Sequence, residues 1–292
     1  MSSAPSWPAA STRSAEAVRA IVPSTPETAA RDARLTLALA MAHDAGREAL
    51  ASARRGEVSW KRPGERVTPT DIVVQSRLLD AIRARFPEDG ALAEEGDVAT
   101  GLDREFVWIL DPLDGTNNYA LGLPCFAVSI GVFQRGAPYA GVVHDPNTGF
   151  TCWALRERGA WLVDRKLALR GQPLTAASNV SARVPLDPVL GPVVVGWLER
   201  HKFRGFGSVA LHLAYAAIGA IDVVLDHRAA LWDLAGGGCV LQEAGGVITD
   251  PRGGAMFPFD LAAYRGGAVP FLAGNPTAHA AAVSACRSQT TR

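Results

Sequence analysis

Apolar positions along the chain change their period near residue 100, and that change divides it into helical and strand-rich stretches. From Glu27 an alanine-rich segment carries Leu35, Leu39, Met41 and Leu50, which predicts a long first helix reaching about Ala53. Residues 54–70 are polar and include Gly56, Pro63 and Gly64, the composition of a loop or mobile hairpin. Val74, Leu78, Ile82 and Phe86 then recur every fourth residue, predicting a second helix with Asp71 as its N-cap and Pro87 and Gly90 as its stop.

Strand-like runs follow. Residues 106–110 are continuously apolar, as in a strand buried on both faces. Residues 126–133 and 139–144 read as strands joined by Gln134-Arg135-Gly136-Ala137-Pro138, a hairpin-length connection, and 151–155 and 160–163 extend the same sheet. Beyond about residue 185 the texture becomes α/β. A strand is predicted at 193–197, a helix at 208–218, a strand at 221–225 and a helix at 233–243. An apolar run at 270–273 precedes a short helix from Thr277. The pattern predicts an α+β half over residues 28–180 and an α/β half over 181–292. Residues 1–27, rich in Ser, Ala and Pro, read as a disordered tail ahead of them.

Composition narrows the functional classes. The chain has 292 residues, 48% hydrophobic and 20% charged, enough to bury a large core without disulfides. Its formal net charge is zero, so it lacks the basic excess expected of a nucleic-acid binder. Cys125, Cys152, Cys239 and Cys286 are widely spaced, with no C-x-x-C pair, which argues against a zinc site and fits a reducing compartment. No apolar run is long enough to span a bilayer, and no basic segment precedes an apolar core near the start. A cytoplasmic setting without membrane partners is therefore expected.

The candidate chemistry lies in acidic motifs. Asp111-Pro112-Leu113-Asp114-Gly115-Thr116-Asn117-Asn118 follows directly on the apolar run at 106–110, which puts two aspartates at the end of a buried strand. Pro112 fixes φ and removes a donor, Gly115 permits a tight turn, and the amides around Gly115 and Thr116 suit a phosphate oxygen. Asp233, in Trp232-Asp233-Leu234-Ala235-Gly236-Gly237, stands near a helix start, where an aspartate alone reads as a cap. Glu94-Glu95 sits in a predicted loop. Carboxylates brought together repel each other, and a divalent cation with oxygen ligands resolves the conflict, favouring Mg²⁺ or Mn²⁺ over zinc or copper.

Taken in order, Thr68-Pro69-Thr70-Asp71, Glu94-Glu95, D-P-x-D-G-T-x-N and W-D-x-A-G-G resemble the inositol monophosphatase family of lithium-sensitive, magnesium-dependent phosphatases, over roughly residues 30–288. The resemblance implies a layered α-β-α-β-α sandwich of the inositol monophosphatase and sugar phosphatase type, with the active site between its halves. It implies that Glu94, Asp111, Asp114 and the Leu113 carbonyl hold the first metals and that Asp233 completes a second site. Thr116 and Asp71 would form the pair that orients and deprotonates the attacking water, with Glu94 beside them in the catalytic set. The Gly115 and Thr116 amides would hold the phosphate. The implied cofactor is Mg²⁺, with Mn²⁺ as a substitute, and the implied assembly is a homodimer acting on a small phosphorylated metabolite. Ala93 and Gly96 around the acids, and Tyr119 after Asn118, depart from the common family pattern.

Asp226, seven residues before Asp233, occupies the position where inositol-hydrolysing relatives carry a glutamate, so it is expected to face the leaving group. His201, Lys202 and Arg204 are candidates for meeting a second phosphate, and His227 and Arg228 flank Asp226. Histidinol phosphate, fructose bisphosphate and 3′-phosphonucleotides stay open as substrates beside inositol monophosphate. Gly205-Phe206-Gly207-Ser208-Val209-Ala210 imitates a dinucleotide fingerprint but follows no buried strand and leaves the aspartates unexplained. A binding protein that retains the fold is the alternative outside enzymes.

Overall fold

The computed structural model describes residues 32–52, 59–62 and 65–290; the predicted tail at 1–27 and the first turns of the predicted first helix lie outside them. Helix α1 (Ala33–Ser52) starts where Asp32 Oδ1 accepts the Leu35 amide at 2.8 Å. A small antiparallel hairpin, β1 (Ser59–Arg62) and β2 (Glu65–Val67), precedes α2 (Pro69–Arg85). The N-cap of α2 is Thr68, not the expected Asp71. Pro69 presets the first helical residue, and Asp71, three residues past the cap, reaches back to accept the Thr68 amide at 2.8 Å.

The larger sheet is built from β3 (Gly90–Ala93), β4 (Val98–Thr100), β5 (Phe106–Asp114), β6 (Ala127–Gln134), β7 (Ala137–Asp145), β8 (Phe150–Leu155), β9 (Gly159–Leu162) and β10 (Arg165–Lys166). Its order is β10-β9-β8-β7-β6-β5-β3-β4, with only β3 and β5 parallel. The smaller sheet contains β11 (Asn179–Ala182), β12 (Lys202–Phe203), β13 (Val223–Asp226), β14 (Val247–Thr249) and β15 (Phe271–Gly274) in the order β12-β11-β13-β15-β14. Here β12, β11 and β13 run parallel.

Both faces of β5 are buried, and its alternate side chains feed different cores. Trp108 and Leu110 pack with α1 and α2, whereas Val107 and Ile109 join the core under α5 (Val209–Ala217) and α6 (Leu231–Glu243). The other side of that core is the small sheet, through Val224, Phe271 and Ala273. The outer face of the small sheet, through Val180, Val223, Leu225 and Leu272, packs on α4 (Gly191–Leu198) and α7 (Pro276–Thr290). The result is a five-layer α-β-α-β-α sandwich.

The strand expected at 193–197 is the helix α4. Its β-branched run suits a strand, but the buried positions are Val193, Val194 and Trp197 while Val195 is exposed, a helical spacing. Pro192 in the first turn favours that outcome. Helix α6 lies against the large sheet at backbone distance. A Cβ on Gly141 would stand 2.4 Å from the Gly236 carbonyl oxygen, and one on Gly236 would stand 2.8 Å from the Val142 oxygen. These two glycines allow the approach that brings the start of α6, with Asp233, to the end of β5.

Candidate metal centre

The ladder between β5 and β6 pairs Asp111 with Ser129 and resumes at Asp114 with Ala127, so the strand is irregular between the two aspartates. Pro112 has no amide for the ladder there. Asp111 Oδ1 accepts the Leu113 amide at 3.0 Å, which fixes the turn locally. Gly115 follows at φ 96°, and its Cβ, if present, would lie 2.7 Å from the Cys125 oxygen, so the position tolerates only glycine. The short helix α3 (Thr116–Ala120) begins there.

Asp111, Asp114 and Asp233 converge, with one carboxylate oxygen from each within 4.8 Å of the others. At an effective dielectric constant of about 20, each charge pair at that spacing repels by roughly 3 kcal/mol. Asp111 and Asp233 are accordingly pushed well above the usual carboxylate range, by burial first and then by neighbouring acids. Asp114 is pushed up to about 7, again by burial, although the Ser208 hydroxyl and Ala210 amide donate to it at 2.5 and 2.6 Å. One Asp233 oxygen caps α6 by accepting the Ala230 amide at 2.8 Å, so this aspartate serves both as cap and as cluster member. Mutually repelling, oxygen-only donors, buried at Asp111 and Asp114 and half-buried at Asp233, fit a hard divalent cation.

Glu94 stands beside this trio rather than inside it. Its charge contributes to the raised Asp111, Asp114 and Asp233, but its own carboxylate is paired with Lys61 Nζ of the β1–β2 hairpin at 2.9 Å. Lys61 also pairs with Glu95, which burial pushes up to about 7 and whose backbone is clamped on both sides by Gln75. Thr116 Oγ1 lies 3.0 Å from both Asp71 Oδ1 and the Leu113 carbonyl oxygen, so one hydroxyl joins the acid at the start of α2 to the turn after β5. Burial raises Asp71, while hydrogen bonds from Thr68 and Thr116 oppose the rise.

Asp226 ends β13 and is buried. Its Oδ1 accepts the Arg228 and Ala229 amides, both at 2.8 Å, and its Oδ2 lies 3.9 Å from a guanidinium nitrogen of Arg183. His201 contacts the Thr175 carbonyl through Nδ1, and Lys202 on β12 and Arg204 just after it are exposed. The start of α5, where the fingerprint-like glycines would cradle a pyrophosphate, is taken by the Asp114 carboxylate. Lys61 and Arg183 lie in none of the motifs, and Ser208 enters only as a member of the fingerprint-like run, with no role toward Asp114. Their only sequence signals are a lone lysine in a polar segment, a serine at a helix start and an arginine after a strand.

A family model described as the inositol monophosphatase family matches residues 27–290. The chain is 33% identical over 232 residues to a Vibrio cholerae protein named Nus factor SuhB, covering 76% of this chain and 87% of that one. It is likewise 33% identical over 211 residues to an inositol-1-monophosphatase of Rhizobium meliloti, covering 68% and 77%. Among solved structures, the extragenic suppressor protein SuhB of Bartonella henselae superposes with a TM-score of 0.78 at 28% identity, covering 88% of this chain and 99% of that one. An IMPase of Thermotoga maritima also gives 0.78 at 28% identity, with 88% and 98% covered.

Proposed function

Because the chain belongs to the inositol monophosphatase family, we propose that it is a metal-dependent phosphomonoesterase acting on a small phosphorylated polyol or related metabolite. The observation that carries this reading is the meeting of Asp111, Asp114 and Asp233 beside the Thr116–Asp71 pair. Those three aspartates, with Glu94 and the Leu113 carbonyl, would hold Mg²⁺, and Mn²⁺ would substitute. Bound there, divalent cations supply an activated water and neutralise the departing oxygen.

The chain's own groups do the rest. Asp71 accepts the Thr116 hydroxyl proton, which leaves a Thr116 lone pair to accept a proton from the attacking water and orient it. The Gly115 and Thr116 amides, at the start of α3, would hold the phosphate oxygens. Asp226, at the end of β13, would take the leaving-group side. Homodimerisation and a cytoplasmic setting belong to the same reading, and light scattering of the purified protein tests the first.

The deciding experiment is phosphate release with and without Mg²⁺. The panel is inositol 1-phosphate, histidinol phosphate, fructose 1,6-bisphosphate and adenosine 3′,5′-bisphosphate. Mg²⁺-dependent turnover of one of them supports the reading. Silence across the panel from folded, metal-loaded protein shifts weight to a binding role, the second reading, which the name Nus factor borne by several relatives keeps in view.

A further inference from the structure

We propose that Arg183 selects substrates whose alcohol part carries a second anionic group, an inference that rests on the phosphatase reading above. Arg183 follows β11, and its amide donates to the Leu225 carbonyl, so it sits level with Asp226 at the carboxyl ends of two adjacent parallel strands. That edge is where open α/β sheets present ligands. From it the chain leads directly to Asp233 and the metal centre.

The guanidinium is available. Its side chain is 40% exposed, and among the described residues its one charged contact is Asp226, at 3.9 Å. That separation is too long for a hydrogen bond, so Arg183 keeps its donors. Asp226 in turn spends Oδ1 on two backbone amides, which fixes its carboxylate as an anchor beside the guanidinium. Asp187, four residues after Arg183, spends its Oδ1 on the Val189 and Leu190 amides at 2.9 and 2.8 Å. A planar guanidinium with unspent donors matches a phosphate or carboxylate in bidentate fashion, which neither a sugar hydroxyl nor an amine does. A phosphate at the metal centre and a second anion at Arg183 would fix both ends of one substrate.

The test compares pairs that differ only in the second anion. Fructose 1,6-bisphosphate is set against fructose 1-phosphate, and 6-phosphogluconate against glucitol 6-phosphate; the two pairs distinguish phosphate from carboxylate. Binding is measured by calorimetry on the Ca²⁺-loaded protein, and kcat and KM are measured with Mg²⁺, for wild type, Arg183→Met and Arg183→Lys. Wild type is expected to favour the doubly anionic member of at least one pair by about tenfold or more, mainly through KM and Kd. Arg183→Met should abolish that preference, and Arg183→Lys should keep part of it. Equal binding of both members by wild type, or a preference that survives Arg183→Met, overturns the proposal. Selective binding without turnover would uphold Arg183 while removing the phosphatase reading.

Discussion

Ser208 Oγ donates to Asp114 Oδ2 at 2.5 Å, so the N-cap of α5 holds a carboxylate of the candidate metal centre from 94 residues further along the chain. The same hydroxyl accepts the Leu211 amide at 3.2 Å. One serine therefore caps a helix and joins the two halves of the sandwich. Ser208→Ala removes a charge-assisted hydrogen bond and a cap, a loss of about 1–3 kcal/mol. The melting temperature should fall by several degrees and Mg²⁺ should bind more weakly, while Ser208→Thr keeps most of both. Calorimetric melting and Mg²⁺ titration check this; an unchanged Ser208→Ala protein would deny the serine any role in fixing Asp114.

Asp111→Asn should separate stability from chemistry. Asp111 is buried and faces two other acids, so the neutral amide relieves repulsion in metal-free protein. The variant should melt no lower than wild type without metal, lose most of the Mg²⁺-induced rise in melting temperature, and fall by about a thousandfold or more in kcat. Full turnover in a folded Asp111→Asn protein would sink the assignment of Asp111 as a ligand.

The raised carboxyls set a direction for pH dependence. Folded metal-free protein retains protons on Asp114 up to about pH 7, and on Asp111 and Asp233 well above the usual carboxylate range, where the unfolded chain has lost them. Stability from this source is present at low pH and is lost as pH rises through those values. Buried His144, pushed down to about 3, and His212, pushed down to about 4, act in the opposite sense on acidification below about 6.5. Comparing metal-free with Mg²⁺-loaded protein at each pH cancels the histidines. The Mg²⁺-induced rise in melting temperature should be small at about pH 5.5 and several degrees larger at about pH 8, because protons compete with the cation. A rise that is flat across this range would mean that Mg²⁺ binds elsewhere.

The buried strand and the pair Asp111 and Asp114 were legible because their signals are local, whereas the five layers and the place of Asp233 beside that pair followed from the family resemblance alone. The run at 106–110 names a buried strand, and Asp111, Asp114 and Thr116 follow it within a few residues. Strand β3 was missed because Gly90-Ala91-Leu92-Ala93 has little β propensity; it forms because β4 and β5 flank it on either side. Val193–Val195 misled for the opposite reason, since a β-branched run was overruled by packing against Ala278, Ala282 and Cys286 of α7. Ser208 and Lys61 stayed silent because their meaning lies in partners 94 and 33 residues distant, which only the assembled layers bring near.

Lys61 supplies the last prediction. Its ammonium pairs with Glu94 at 2.9 Å and also with Glu95, so a protein cation already sits against the acid expected to complete the metal centre. Two consequences pull in opposite directions. Without Lys61, Glu94 and Glu95 lose their counter-charge, and Glu95, buried and already raised to about 7, has no other cation on it among the described residues. Metal-free Lys61→Met should therefore melt several degrees lower at pH 8. Glu94 is at the same time released toward a divalent cation, so Mg²⁺ affinity should rise by about threefold to tenfold and the Mg²⁺-induced gain in melting temperature should exceed that of wild type. Calorimetric titration of Mg²⁺ into both proteins separates this from its alternative. If Lys61 instead organises Glu94 for the metal, Lys61→Met binds Mg²⁺ more weakly, and the lysine is a support rather than a competitor.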